Sequence, residues 1–205
     1  SQIIDNLEVN GKKLASGKVK NVNEGFVVDS WLANWDVVGL NYDNMLIKHN
    51  RAIRLDTGGA LLFRAQGGRK GSDFGVTVNE IETLRNVNVN PKSASVFSSV
   101  TDRELSDSVG KLAAIDKDEI KALVKKFGPG TLAERENLAG VLLQRRQFLI
   151  KKLQKQKYNE KQYQLAQSQL KSIAKEQIND IDNQLVATLK GIAFNFDKEG
   201  IRTKD

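Results

Sequence analysis

Apolar positions recur along most of this chain at the spacing of an amphipathic helix, and one short stretch breaks that rhythm. From Phe26 onward, Val28, Trp31, Leu32 and Trp35 fall at helical spacing, which predicts a helix with one buried face ending near Asp36. Gly39 then marks a loop. Thr101 with Glu104, Asp116 with Glu119, and Thr131 with Glu134 each precede an apolar-periodic run, as capping boxes that predict helix starts. Asn90 before Pro91 predicts another start, and Gly128 with Pro129 ends the helix carrying Ile120, Leu123, Val124 and Phe127. The helix beginning near Leu132 carries Leu138, Val141, Leu142, Arg145, Phe148 and Leu149. A similar stripe of Leu170, Ile173, Ile178, Ile181, Leu185 and Leu189 runs through a Lys/Gln-rich tract, which predicts a long helix or a helical hairpin. Its spacing departs from strict heptads, so packing on a neighbouring helix is expected rather than a two-stranded coiled coil.

The exception is MLIKHNRAIRL, residues 45–55, which reads as two short strands around a polar turn. With a loop from Lys48 to Ala52, Met45 faces Leu55, Ile47 faces Ile53, and Asn44 lies opposite Asp56. A loop one residue shorter sends Asn44 and Asp56 to opposite faces. Residues 1–24 are polar and glycine-dotted, a connector or one or two short strands. TGGALLFRAQGGRKGSDFG, residues 57–75, reads as a surface loop of functional length. The expected fold class is α+β, mainly helical.

Composition narrows the chemistry. The 205 residues, 40% hydrophobic, suffice for one core, or one core with a helical appendage. With no cysteine and the single histidine His49, the chain has no disulfide, thiolate nucleophile, cysteine zinc site or histidine cluster. Carboxylates, amides and hydroxyls remain. No apolar run approaches the ~18 to 20 residues of a membrane span, so a soluble protein is expected, cytoplasmic or inside a phage particle. The net charge of +7 is spread along the chain, with eleven Lys/Arg against seven Asp/Glu in residues 151–205. It supports a nucleic-acid reading only weakly, and with no aromatics beyond Tyr158 and Tyr163 in the Lys/Gln-rich tract a single-strand surface is not expected.

Asp36, Asn44 and Asp56 stand out because of their order around the hairpin. Taken singly, each has an ordinary role: a helix cap, an Asx turn, a turn before Thr-Gly-Gly. Magnesium is usually held by one or two carboxylates together with substrate phosphate oxygens, and phosphoryl transfer needs a further Asp to orient or deprotonate the attacking hydroxyl. An Asp, a nearby Asn and a later Asp-x-Gly, joined by a hairpin, have that arrangement.

VVDSWLANWDVVGLNYDNMLI followed by RLDTGGALLFRAQG resembles the catalytic and metal-binding segments of the phosphoinositide-kinase-like and HipA-type kinases, of the kind found in large bacterial and phage proteins. The resemblance covers roughly residues 25–150 and implies a protein-kinase-like lower (C-terminal) lobe, with 1–24 as connector and 151–205 as a helical extension. It implies Asp36 as the catalytic residue, Asn44 and Asp56 as magnesium ligands, and ATP as the nucleotide. In the glycine-rich loop Arg64 and Lys70, with Arg69, are the residues expected to meet its phosphates, the alternative being an ordinary solvated loop. A glycine loop and strand lysine of an upper lobe have no counterpart in residues 1–24, so an N-lobe segment or a parent polypeptide is the expected partner, and the isolated chain is expected to be inactive. The alternative is a pseudokinase: a kinase-derived scaffold, such as an internal phage virion component or a piece of a polyvalent effector, that binds a protein partner through its C-terminal helices.

Overall fold

The computed structural model describes residues 7–154, 183–189 and 191. In chain order the elements are α1 (Gly11–Leu14), α2 (Val22–Trp31), β1 (Met45–Lys48), β2 (Arg51–Arg54), a 3-10 turn (Gly71–Asp73), α3 (Glu80–Thr83), α4 (Pro91–Phe97), α5 (Asp102–Ala114), α6 (Lys117–Phe127) and α7 (Leu132–Gln154). The fold is mainly helical with one small two-stranded antiparallel sheet. Among the described residues, no helix is long and apolar enough to cross a membrane.

Helix α2 is the centre around which the others pack. Eight of its ten residues are buried, including the polar Asn23, Asp29 and Ser30, so it is enclosed on all sides rather than on the one face its periodicity suggests. Helices α3, α4, α5 and α7 all contact it. Phe26 packs on Phe97 of α4 with ring centroids 4.9 Å apart, and the Trp31 indole N–H donates to the Leu142 carbonyl of α7 at 2.8 Å. The helix stops at Leu32, because Ala33 turns left-handed at φ 51°. Trp35 and Asp36 therefore lie in the loop that follows, not on the helix that the sequence extends to Asp36.

The other helix starts follow the side-chain chemistry. Thr101 and Glu104 form a reciprocal capping box, and Thr131 with Glu134 exchanges the same pair of bonds. Asp116 caps α6 alone: its Oδ1 accepts from the Asp118 and Glu119 amides, and Glu119 makes no return bond. Asn90 Oδ1 accepts from the Ser93 amide ahead of Pro91, and Gly128 closes α6. Helix α7 buries Leu138, Leu142, Leu149 and Leu153 in the common core, together with the tail residues Leu185 and Leu189. The stripe residues Leu170, Ile173, Ile178 and Ile181, and the predicted helical hairpin through them, lie outside the described residues.

The hairpin corrects the expected register. Its turn is two residues, His49 and Asn50, at φ 49° and 59°, the left-handed pair that matches the twist of flanking strands. The pairs are Met45↔Arg54, Leu46↔Ile53, Ile47↔Ala52 and Lys48↔Arg51. Relative to the expected five-residue loop, β2 slips by one, which exchanges its faces. Arg54, not Leu55, stands beside Met45 on the core side. Its guanidinium reaches the buried Asp29 carboxylate on α2 and also donates to the Asn21 and Val22 carbonyls. The strand slips so that an ion pair, rather than an apolar pair, closes the layer. Residues 7–24 add a single bridge at each outer edge, Glu8 with Ile47 on β1 and Lys20 with Arg51 on β2.

Candidate functional site

The loop after α2 and the two ends of the hairpin bring Asp36 and Asn44 together. The Asn44 side-chain amide donates to the Asp36 carbonyl oxygen at 2.7 Å and to its carboxylate Oδ2 at 3.1 Å. Asn44 is not opposite Asp56. Its carbonyl instead accepts from the Leu55 amide at 2.9 Å, which leaves Asp56 just past the end of the ladder. Asp56 is exposed, and its Oδ1 accepts from the Gly58 amide at 2.8 Å. Two close approaches shape the loop. A Cβ on Gly59 would stand 3.1 Å from the Asp36 Cβ, and one on Gly39, at φ +77°, would run into the Asp43 carboxylate.

Burial raises the Asp36 carboxyl above its usual range. The Asn44 amide opposes that by stabilising the anion, while the carboxylates of Asp56 and Asp43 push in the same direction as burial. Among the described residues, no three His, Cys, Asp or Glu side chains are close enough to hold a metal by themselves.

The framework behind the loop is made of residues for which the sequence suggests other roles or none. Lys70, expected to face a phosphate from a surface loop, is 3% exposed. Its ammonium donates to the carbonyls of Ala33, Gly59 and Leu61 at 2.7, 2.7 and 3.0 Å, and lies 4.7 Å from the centre of the Trp35 ring. It ties the Asp36 loop to the Asp-x-Gly loop. Its burial pushes the amine down to about 7, with Glu80 opposing and the Arg145 and Arg64 charges adding to the shift. Arg64 keeps its place at the surface: it lies over the site's aromatic ring, 4.9 Å from the Trp35 centroid, and pairs with Asp73 at 3.0 Å. Arg69 lies over Phe63, with Glu134 3.9 Å away.

Arg145 falls on the α7 stripe that the periodicity marks, but its partners there are polar. It occupies a core position of α7 with no exposure. Its guanidinium donates to the Trp31 and Ser30 carbonyls at the end of α2, to those of Gly75 and Thr77, and to Glu80 at 2.8 Å. The other oxygen of Glu80 accepts from the Trp35 indole at 2.9 Å, and Asn90 donates to the Trp35 carbonyl at 2.9 Å. The α7 arginine therefore fixes, through Glu80, the residue that precedes Asp36. An arginine within an otherwise apolar helical stripe was the available signal. A buried guanidinium requires acceptors on every donor, and here loop carbonyls provide them. In comparisons with known proteins, no family model, no curated protein and no solved structure matches this chain.

Proposed function

We propose that Asp36, Asn44 and Asp56 form the nucleotide half-site of a kinase-like phosphotransferase lobe. The observation that carries the reading is the double hold of Asn44 on Asp36, which fixes backbone and carboxylate together. With its amide nitrogen so engaged, Asn44 has its side-chain oxygen left for a cation, and Asp56 has a second carboxylate oxygen beyond the one bound to Gly58. Magnesium with ATP would supply the transferable phosphoryl group and the positive charge that offsets these carboxylates. Asp36, whose carboxyl is raised by burial and by its neighbours, is suited to accept a hydrogen bond from, or take the proton of, an attacking hydroxyl.

Manganese-ATP, a paramagnetic stand-in, tests this on the 15N-labelled chain. At millimolar concentration it broadens the Asn44 side-chain and Gly58 backbone signals first, and Asp56→Ala removes the effect. Signals that stay sharp in the unaltered chain overturn the half-site. One observation favours the second reading, a non-catalytic scaffold: Lys70 and Arg64, the cations nearest the site, are already engaged with carbonyls and with Asp73. The same spectra separate the two, because a scaffold shows no broadening confined to these residues.

A further inference from the structure

The fold gathers at the hairpin tip cations that are 30 residues apart in the chain. Lys20 bridges Arg51 in parallel, with the Lys20 amide donating to the Asn50 carbonyl at 3.0 Å and the Ala52 amide to the Lys20 carbonyl at 2.8 Å. Lys48 pairs with Arg51 across the turn. Directly paired residues in a sheet project to the same face, about 5 Å apart, so Lys20, Arg51 and Lys48 share one side of the layer. The Asn50 side chain donates to the Lys18 carbonyl at 3.0 Å and holds a fourth cation beside them. Val19 is buried between the exposed Lys18 and Lys20. None of Lys18, Lys20 and Lys48 has an ion-pair partner among the described residues, whereas Arg51 has an interaction of its own. The three lysines, held close together, repel one another, which costs stability unless an anion offsets it.

We propose that this face, built on Lys18, Lys20 and Lys48, binds the phosphate backbone of double-stranded nucleic acid. The partner follows from what accompanies the charges. Among the described residues His49 is the one ring at the tip, and a single ring is a poor platform for stacking unpaired bases. A protein segment gains affinity and specificity beyond charge from an apolar anchor pocket or a free strand edge. Leu46, two positions inward from the tip, is buried, and the edge of β2 is taken by Lys20. Contact with duplex phosphates requires only spaced cations. The surface is separate from the carboxylate site, and Asp56→Ala leaves it unchanged.

Fluorescence anisotropy of a labelled 20-base-pair duplex, with the full chain and over a range of salt, tests the proposal. Each phosphate contacted contributes about −0.9 to the slope of log K against log salt, so three lysines give about −3. The triple variant Lys18→Glu, Lys20→Glu, Lys48→Glu binds at least tenfold more weakly and with a flattened slope. The charge-matched control Lys111→Glu, Lys117→Glu, Lys125→Glu stays within twofold. Equal loss in both variants, no binding by the unaltered chain at 50 mM salt, or tighter binding of a polyglutamate peptide than of the duplex each overturns it. All six positions are at or near the surface, and the salt slope of the unaltered chain gives a second reading that requires no variant to fold.

Discussion

Asn44 holds Asp36 at two points with one nitrogen, 2.7 Å from its carbonyl oxygen and 3.1 Å from its carboxylate. A donor between two acceptors is what an isosteric carboxylate cannot supply. Asn44→Asp is therefore expected to cost about 2 kcal/mol at pH 7, the order for leaving buried acceptors unpaired beside a new charge. At pH 4 the loss shrinks, because the introduced carboxyl, once protonated, regains a donor. Urea unfolding of the variant at the two pH values measures the difference, and equal losses would mean that protonating the new carboxyl does not restore the donor.

The Asp36 carboxyl is raised by burial first and by Asp56 and Asp43 after it. A folded-state value above the unfolded one gives stability that is complete below the unfolded value and is lost as pH rises through the folded one. Ionised Asp36 thus weighs against the fold at neutral pH. Asp36→Asn, which keeps the acceptor for Asn44, is expected to gain stability at pH 7, by about 0.5 kcal/mol after allowance for solvent screening, and to gain nothing at pH 3. Removing one neighbour shows the electrostatic share directly: Asp56→Asn lowers the Asp36 titration midpoint followed by carboxyl 13C shifts.

The starts of α4, α5, α6 and α7 were legible because caps and apolar spacing are local, whereas the one-turn helices α1 and α3 carry no such signal. Thr101, Asp116, Thr131 and Asn90 all cap where the sequence puts them, since each bond closes within three residues. The hairpin was legible as an element but not in register: His49 and Asn50 adopt left-handed φ, and a histidine there gives no turn signal as strong as glycine. What decides the register is the meeting of Arg54 with Asp29, a contact 25 residues apart. The site was legible to the same depth. Asp36 and Asn44, joined by one loop, do come together, while the internal roles of Lys70 and Arg145 depend on carbonyls that only the folded chain assembles. Lys70 in a glycine-rich loop reads as surface and is buried, while Arg145 lies on the stripe that the periodicity marks and finds acceptors far away in sequence.

The Arg54–Asp29 pair is fully enclosed, with side chains 6% and 0% exposed, and Gln184 from the tail adds a bond to Asp29 at 2.9 Å. Arg54→Leu leaves a buried carboxylate with one neutral donor, and is expected to cost about 3–5 kcal/mol. Gly25 lies beneath the guanidinium, where a Cβ would collide with it. Gly25→Ala should therefore destabilise the unaltered chain by about 1–3 kcal/mol. In the Arg54→Leu background the flexible Leu leaves room, and the gain of about 1 kcal/mol from alanine in a helix interior offsets the strain. A double-mutant cycle by urea unfolding reads the coupling. Additive effects would show that Arg54 does not pack on Gly25.

Lys70 gives the fold a pH dependence opposite to that of an exposed lysine. Its amine is pushed down to about 7 by burial, against 10.5 in an ordinary environment. Between those values the unfolded chain carries the proton and the folded chain gives it up together with one of its three carbonyl bonds, so unfolding takes up a proton and stability rises with pH across that window. The contribution is complete above the unfolded value and is lost as pH falls through about 7. Lys70→Met removes the titration while keeping much of the apolar stem, and it also removes the three carbonyl bonds that join Ala33, Gly59 and Leu61. The unaltered chain should therefore gain on the variant by roughly 2–3 kcal/mol between pH 7 and pH 9.5. Unfolding at both pH values reads that change, and the difference between the two proteins cancels other groups that titrate in the same range. A gap that stays constant with pH would mean that Lys70 remains an ammonium throughout, held by its three carbonyls and the face of Trp35.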